Sequence, residues 1–483
     1  MSGTGRLTAT LGARTQRLVY GEQDVPALVR ELEETGTVDL AHLVMLVRQD
    51  LLPRKTAAGL LRHITWLRAE GFAPLHRLPA PRGAYLMYET HLIDTLGVES
   101  GGKLHTGRSR NDLKATTTAI RLRATALDLV GELVRLQAVL LSRARASADQ
   151  VMPVHTHFQA AMPTTYGHYL LGVACALDRD IAAVRHAADG LRRCPLGAGA
   201  VGGTDLPIDP AVTAELLGFD APVLHSIDAV ASRDVALRLT AAAAGAALTL
   251  SRLGTDYQLW SSAEFGMLTF PDRLVGGSSA MPQKRNAFLL EHVRAKAGSA
   301  VGAWTAAAGM TKSTPFTNTI EVGTEAMSAV WPGLDATRDC VLLCQLLVSG
   351  ARLVTRRAQD RAEEGFTLAT TLANRLVRAG VPFRVAHHAV GDAVRAAVER
   401  GDTELRGIEE AVGVSPGGVE LGPAVEELTA GGGAGAFAPA FGTARRALAE
   451  HAVWRARWEG RIAAARHELD AAVREIIDDG GDR

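Results

Sequence analysis

Segment 276–286 carries paired glycines, paired serines (Ser278 and Ser279), Pro282, and then Gln283, Lys284 and Asn286. A serine needs help to lose its proton at neutral pH. Flanking backbone N–H groups, a nearby lysine and a following helix N-terminus all favour the alkoxide over the alcohol. The same groups suit a dianionic intermediate. Glu291 falls about one turn into the helix expected next. A Gly/Ser loop with an ordinary cap accounts for the glycines but leaves 281–286 unexplained.

Three other polar segments could carry chemistry. Segment 101–112 sets Lys103, Thr106, Arg108, Ser109, Arg110 and Asn111 ahead of a long helix. A helix N-terminus with free N–H groups suits a carboxylate; as a plain capping loop, it would use Asn111 or Asp112 as cap. Segment 152–159 holds His155, Thr156 and His157. No third metal ligand lies nearby, so a general acid or base is the better chemical role, with a structural histidine as the ordinary alternative. Segment 195–203 matches G-x-G-x-x-G, but no βαβ unit surrounds it. A tight glycine turn near a ligand or a neighbouring chain fits better than a dinucleotide site.

The elements that must position these segments are helical. Apolar residues recur at three- and four-residue spacing over 112–147, 164–190, 228–264, 287–308 and 324–350. The stretch 241–248 is apolar or small on every face, which predicts burial on all sides. Shorter helices are expected at 24–34, 40–50, 56–70, 367–380 and 384–401, with a charged terminal helix over 441–478. The glycine-rich stretch 429–435 reads as a flexible loop. The pattern predicts an all-α chain in three parts: an N-terminal helical domain (1–105), a central long-helix bundle (106–350) and a C-terminal helical domain (351–483).

The bulk numbers exclude several classes. Lys plus Arg equals Asp plus Glu at 52 each, which gives no case for nucleic acid or an anionic membrane. The four cysteines are too few and scattered for a disulfide scaffold and fit a reducing cytoplasm. Cys340 and Cys344, one turn apart, read as small core residues. Residues 1–20 lack the apolar core of a signal peptide, and no stretch approaches the ~20 apolar residues of a membrane span.

Segment 276–286 closely resembles the signature Gly-Ser-Ser-x-Met-Pro-x-Lys-x-Asn of the fumarase/aspartase superfamily. The runs 102–112, 156–159, 195–200, 226–230, 261–265, 380–384 and 386–387 resemble argininosuccinate lyase, in order along almost the whole chain. The resemblance implies a homotetramer whose central helices merge. Each active site would draw the segments around Thr156, Pro195 and Ser278 from three subunits. It implies anti β-elimination with no metal or organic cofactor. Ser278 would be the base, and Lys284 and Asn286 would hold the aci-carboxylate. His157, held by Glu291, would serve the departing nitrogen. Ser109, Arg110, Asn111 and Thr156 would bind the fumarate half, with Ser279 and Gln283 contributing from the loop.

Several positions depart from the family pattern. Asp39 replaces a substrate-contacting serine, Phe288 an acid and Pro210 an arginine. Thr317, Val322 and Glu325 stand where a tyrosine, a glutamine and a lysine are usual. These changes cluster on the amine side, so the expected substrate is an N-succinyl amine whose amine is not arginine. Authentic argininosuccinate lyase is the alternative. A non-catalytic binding or structural derivative is a third, which the intact Ser278, Lys284, Asn286, His157 and Glu291 disfavour.

Overall fold

In the computed structural model, residues 11–21 and 24–480 are described; the first ten residues of the segment examined for a signal peptide lie outside them. Five long helices form the centre: Arg110–Ala146, Tyr166–Asp189, Asp234–Trp260, Leu289–Thr311 and Ala326–Gly350. They pack side by side, and Asp234–Trp260, Leu289–Thr311 and Ala326–Gly350 each touch the other two. Alanine-rich faces allow close approach: Ala243, Ala246, Ala247 and Leu250 are fully buried. Cys340 and Cys344 sit buried in Ala326–Gly350, as their spacing predicts. The expectation of all-round burial over 241–248 fails in a single chain, because Leu248 is 52% exposed. Leu346 and Trp304 on neighbouring bundle helices are exposed as well.

Two helical expectations change at their boundaries. The predicted helices 24–34 and 40–50 are one, Val25–Arg48. Asp24 caps it by accepting from the amide of Ala27. Gly36 does not break it, and Arg68 and Phe72 pack beside it at ordinary van der Waals distance. Conversely, 228–264 is two helices, Ser226–Ala231 and Asp234–Trp260. Arg233 stabilises the break by donating from Nη1 to the carbonyls of Val230 and Ser232, at 3.0 and 2.6 Å.

The chain also folds an antiparallel hairpin, Val151–Thr156 with Gln159–Thr165, that helical periodicity does not reveal. Thr165 ends its second strand and caps the next helix, accepting from the amide of His168 at 3.0 Å. Near the C-terminus, a small separate core of Leu372, Leu376, Ala386, Val390 and Ile408 joins Ala369–Arg378 to Phe383–Arg400. The terminal helix Phe437–Asp479 packs back on Arg54–Ala69, Arg110–Ala146 and Tyr166–Asp189. The glycine-rich stretch before it forms two short 3-10 turns, Ala430–Gly432 and Ala434–Ala436, rather than an open loop. Among the described residues, no helix is long and apolar enough to cross a membrane.

Candidate active site

The 276–286 segment is a closed loop. Gly276 and Asn286 exchange two backbone hydrogen bonds, each 2.8 Å, at its base. A Cβ on Gly276 would sit 3.0 Å from Cδ1 of Phe288, so glycine is what lets the two strands of the base meet beneath that ring. Arg285 fastens the descending limb by an ion pair with Asp272 and a 2.9 Å bond to the carbonyl of Phe270. Inside the loop, Oγ of Ser278 accepts from the amides of Ala280 and Met281 at 3.3 and 3.1 Å. Two converging N–H dipoles are what an alkoxide or a short-lived oxyanion requires. Ser279, Gln283 and Lys284 are exposed on the same loop, and Asn286 donates to the carbonyl of Gly277 at 3.4 Å. Glu291 follows in the first turn of Leu289–Thr311, exposed.

The 101–112 segment ends in a capping box. Ser109, not Asn111 or Asp112, is the cap: its Oγ accepts from the amide of Asn111, and Asp112 returns a bond to the amide of Ser109 at 2.9 Å. The other oxygen of Asp112 accepts from the amides of Gly197 and Gly199 at 3.0 and 2.9 Å. Burial pushes the carboxyl of Asp112 up, and these N–H groups pull it back. The glycine-rich turn is therefore a strap across the start of Arg110–Ala146. Gly197 and Gly199 adopt φ of +102° and +62°, and the ring of Pro210 packs against Gly197. Arg110 is exposed, while Asn111 donates to the carbonyl of Ala200 and accepts from Asn318, both at 3.1 Å.

Asn318 belongs to a connection that periodicity alone leaves blank. It leads into a π-helical turn, Glu321–Glu325, and Lys114 donates to Thr324 there at 2.9 Å. A π-turn inside a helix frequently marks a functional site. Its rare geometry, not a residue pattern, defines it, so sequence reading passed over Asn318, Thr324 and Lys114. Val322 is buried in this turn and Glu325 exposed.

Thr156 and His157 lie at the hairpin tip. His157 and Phe158 have φ of +53° and +62°, the pattern of a tight two-residue turn without glycine. Such strain in non-glycine residues is typical of functional sites. Phe158 is 70% exposed, and Thr156 and His157 are exposed too. His155 turns the other way, its ring edge-on to Phe265 at 5.6 Å beside a cavity of about 90 Å³. That space is too small for a succinyl amine.

The chain thus joins the 108–112 and 195–203 segments directly. Among the described residues, no hydrogen bond or ion pair links either of them, within one chain, to the Ser278 loop or the hairpin tip. His157 and Glu291 likewise share none. Of the family departures, Asp39 is fully buried against Arg108, so it faces no ligand where a substrate contact was expected.

Comparisons with known proteins match this architecture. A family model described as Lyase matches residues 81–302, and one described as Argininosuccinate lyase C-terminal matches 366–415. The chain is 34% identical to argininosuccinate lyase of Methanothrix thermoacetophila over 470 residues, covering 92% of each. It is 40% identical to argininosuccinate lyase of Pseudomonas aeruginosa, covering 75% of this chain and 78% of that one. Among solved structures, EDDS lyase in complex with formate superposes with a TM-score of 0.85 at 26% identity, covering 98% of both chains. A variant of that enzyme with bound fumarate gives 0.86, also at 26% identity and 98% coverage of both. Class II fumarase of Schistosoma mansoni shares the fold at 16% identity, covering 84% of this chain and 92% of that one, with a TM-score of 0.67. With a relative of this identity spanning nearly its whole length, the chain belongs to the argininosuccinate lyase family.

Proposed function

We propose that the protein is a carbon–nitrogen lyase that releases fumarate from an N-succinyl amine by anti β-elimination, with an amine other than arginine. The observation that carries the reading is Ser278, whose Oγ faces two backbone N–H donors in a loop closed by Gly276 and Asn286. Ser278 takes the proton from the carbon beside a carboxylate. Lys284 and Asn286 stabilise the resulting aci-carboxylate, with Ser279 and Gln283 adding hydrogen bonds as the loop excludes water. The C–N bond then breaks, and His157, oriented by Glu291, serves the departing nitrogen. Ser109, Arg110, Asn111 and Thr156 hold the carboxylates of the fumarate half.

The separation of these groups within one chain supports a site assembled from several subunits, with Thr156 and His157 reaching into a neighbour. The exposed Leu248, Trp304 and Leu346 on the bundle support a homotetramer with merged central helices. The three-part division at about residues 105 and 350 fits this assembly, the central part supplying the shared core. Four free thiols, three of them buried, fit a cytoplasmic setting.

The altered amine rests on Asp39, Val322 and Phe288. The first two are buried, and the third packs against the loop base and His292. A polar ligand group that meets no hydrogen-bonding partner in the site is left unpaired, which weakens binding of the former ligand. The names of the curated relatives favour the second reading, authentic argininosuccinate lyase. Fumarate absorbance during incubation with argininosuccinate separates the two. Slow or absent release is expected, and turnover of ~1–1000 per second would establish the second reading instead.

A further inference from the structure

Behind the loop bearing Ser109, Arg110 and Asn111 lies a charge pair that takes no part in the elimination steps described above. Asp39, midway along Val25–Arg48, has no exposed side-chain surface, and its Oδ1 stands 2.6 Å from Nη2 of Arg108, which has none either. The same nitrogen donates to the hydroxyl of Tyr85 at 3.4 Å, and that hydroxyl meets Nδ1 of His105 at 2.7 Å. His42, also on Val25–Arg48, contacts the carbonyl of Thr106 through Nε2 at 2.8 Å. Nε and Nη1 of Arg108 are buried without a hydrogen-bond partner.

A guanidinium does not give up its proton in a protein interior. Among the described residues, Asp39 is the acid that forms an ion pair with Arg108; without it, the side chain must move toward water or drag its backbone along. That backbone leads directly into Ser109, the cap of Arg110–Ala146. The pair thus joins an N-terminal helix to the segment read as a carboxylate site.

We propose that Asp39 is a positioning residue which, through Arg108, fixes the orientation of the 105–111 loop and so sets how tightly Ser109, Arg110 and Asn111 hold a carboxylate. The proposal rests on the carboxylate-binding reading of those three residues. It explains why a charged residue occupies a fully buried helix position that an apolar side chain would fill at lower cost. A purely structural ion pair would leave carboxylate affinity alone.

The test uses full-length protein carrying Asp39→Asn, and separately the double change Asp39→Leu with Arg108→Met. Thermal melting, amide hydrogen exchange and fumarate titration by calorimetry are measured on each. Asp39→Asn is expected to speed exchange at Thr106, Arg108 and Ser109, leave 276–286 unchanged, and weaken fumarate binding on the order of tenfold or more. The double variant buries no charge, so it is expected to melt near the wild-type temperature yet still bind fumarate weakly. Wild-type affinity in the double variant overturns the proposal, as does wild-type exchange at 105–111 in Asp39→Asn. Wild-type protein that binds no fumarate overturns the carboxylate reading instead, and the exchange result alone then judges the positioning role.

Discussion

Gly199 donates its amide hydrogen to Oδ2 of Asp112 at 2.9 Å, across 87 positions of sequence. With Gly197 on the same oxygen and Ser109 on the other, one buried carboxylate couples the 195–203 strap to the start of Arg110–Ala146. Asp112→Ala would orphan these amides, of which that of Gly199 is buried and the other two partly so, at a cost on the order of 3 kcal/mol. A clear drop in melting temperature is expected, together with loss of fumarate binding. Asp112→Asn keeps the acceptor oxygens in part, and its melting temperature should fall less.

Ser278→Ala should lower the rate of fumarate release about a thousandfold, within the range for loss of a general base, without lowering the melting temperature. Ser279→Ala should cost far less. Steady-state assay of both variants with the best N-succinyl amine checks the assignment, and full turnover by Ser278→Ala would refute it.

Acid should loosen the carboxylate loop. Burial, aided by Arg108 and Arg110, lowers the pKa of His105 from its usual 6.5 to about 4. The folded state then holds fewer protons than the unfolded chain between these values, so this stabilisation is complete above 6.5 and lost as pH falls toward 4. His42 is lowered in the same direction, chiefly by burial. The opening equilibrium at 105–111, obtained by dividing amide exchange by its pH-dependent intrinsic rate, should therefore rise between pH 6.5 and 4. Substituting His105→Gln should flatten the part of that rise due to His105, and an unchanged profile would show that His105 does not contribute.

A site shared between subunits predicts complementation. Ser278→Ala and His157→Asn should each be nearly inactive alone. Dissociated, mixed and reassembled, they should regain about a quarter of native turnover, because random mixing builds that fraction of sites with both groups intact. Mixtures as inactive as their parents would place Ser278 and His157 in the same subunit's site.

The long helices were legible because each buries one face at helical spacing, and the Ser278 loop because its glycines, serines and lysine have no structural reason to occur together. The hairpin was not. Pro153 pairs with Pro163, and its turn is His157–Phe158, so neither strand alternation nor turn glycine announces it. Asp112 read as a possible cap, but its second role depends on amides far along the chain. Asp39 looked like a lost substrate contact because sequence shows which residue changed, not which way it points. The break at Arg233 depends on the side chain capping its own preceding carbonyls, which periodicity cannot register.

The paired bonds between Gly276 and Asn286, with Arg285 tied to Asp272 and Phe270 beside them, anchor the Ser278 loop at its base. The chain leaves and returns through the same two peptide groups, so the intervening residues can swing as a flap while Leu289–Thr311 stays still. Opening then unravels no helix, and closure over a substrate costs only the ordering of the flap itself. On the proposed mechanism, water exclusion and melting temperature are thereby decoupled: substitutions within the flap would retime elimination while the bundle remains unchanged.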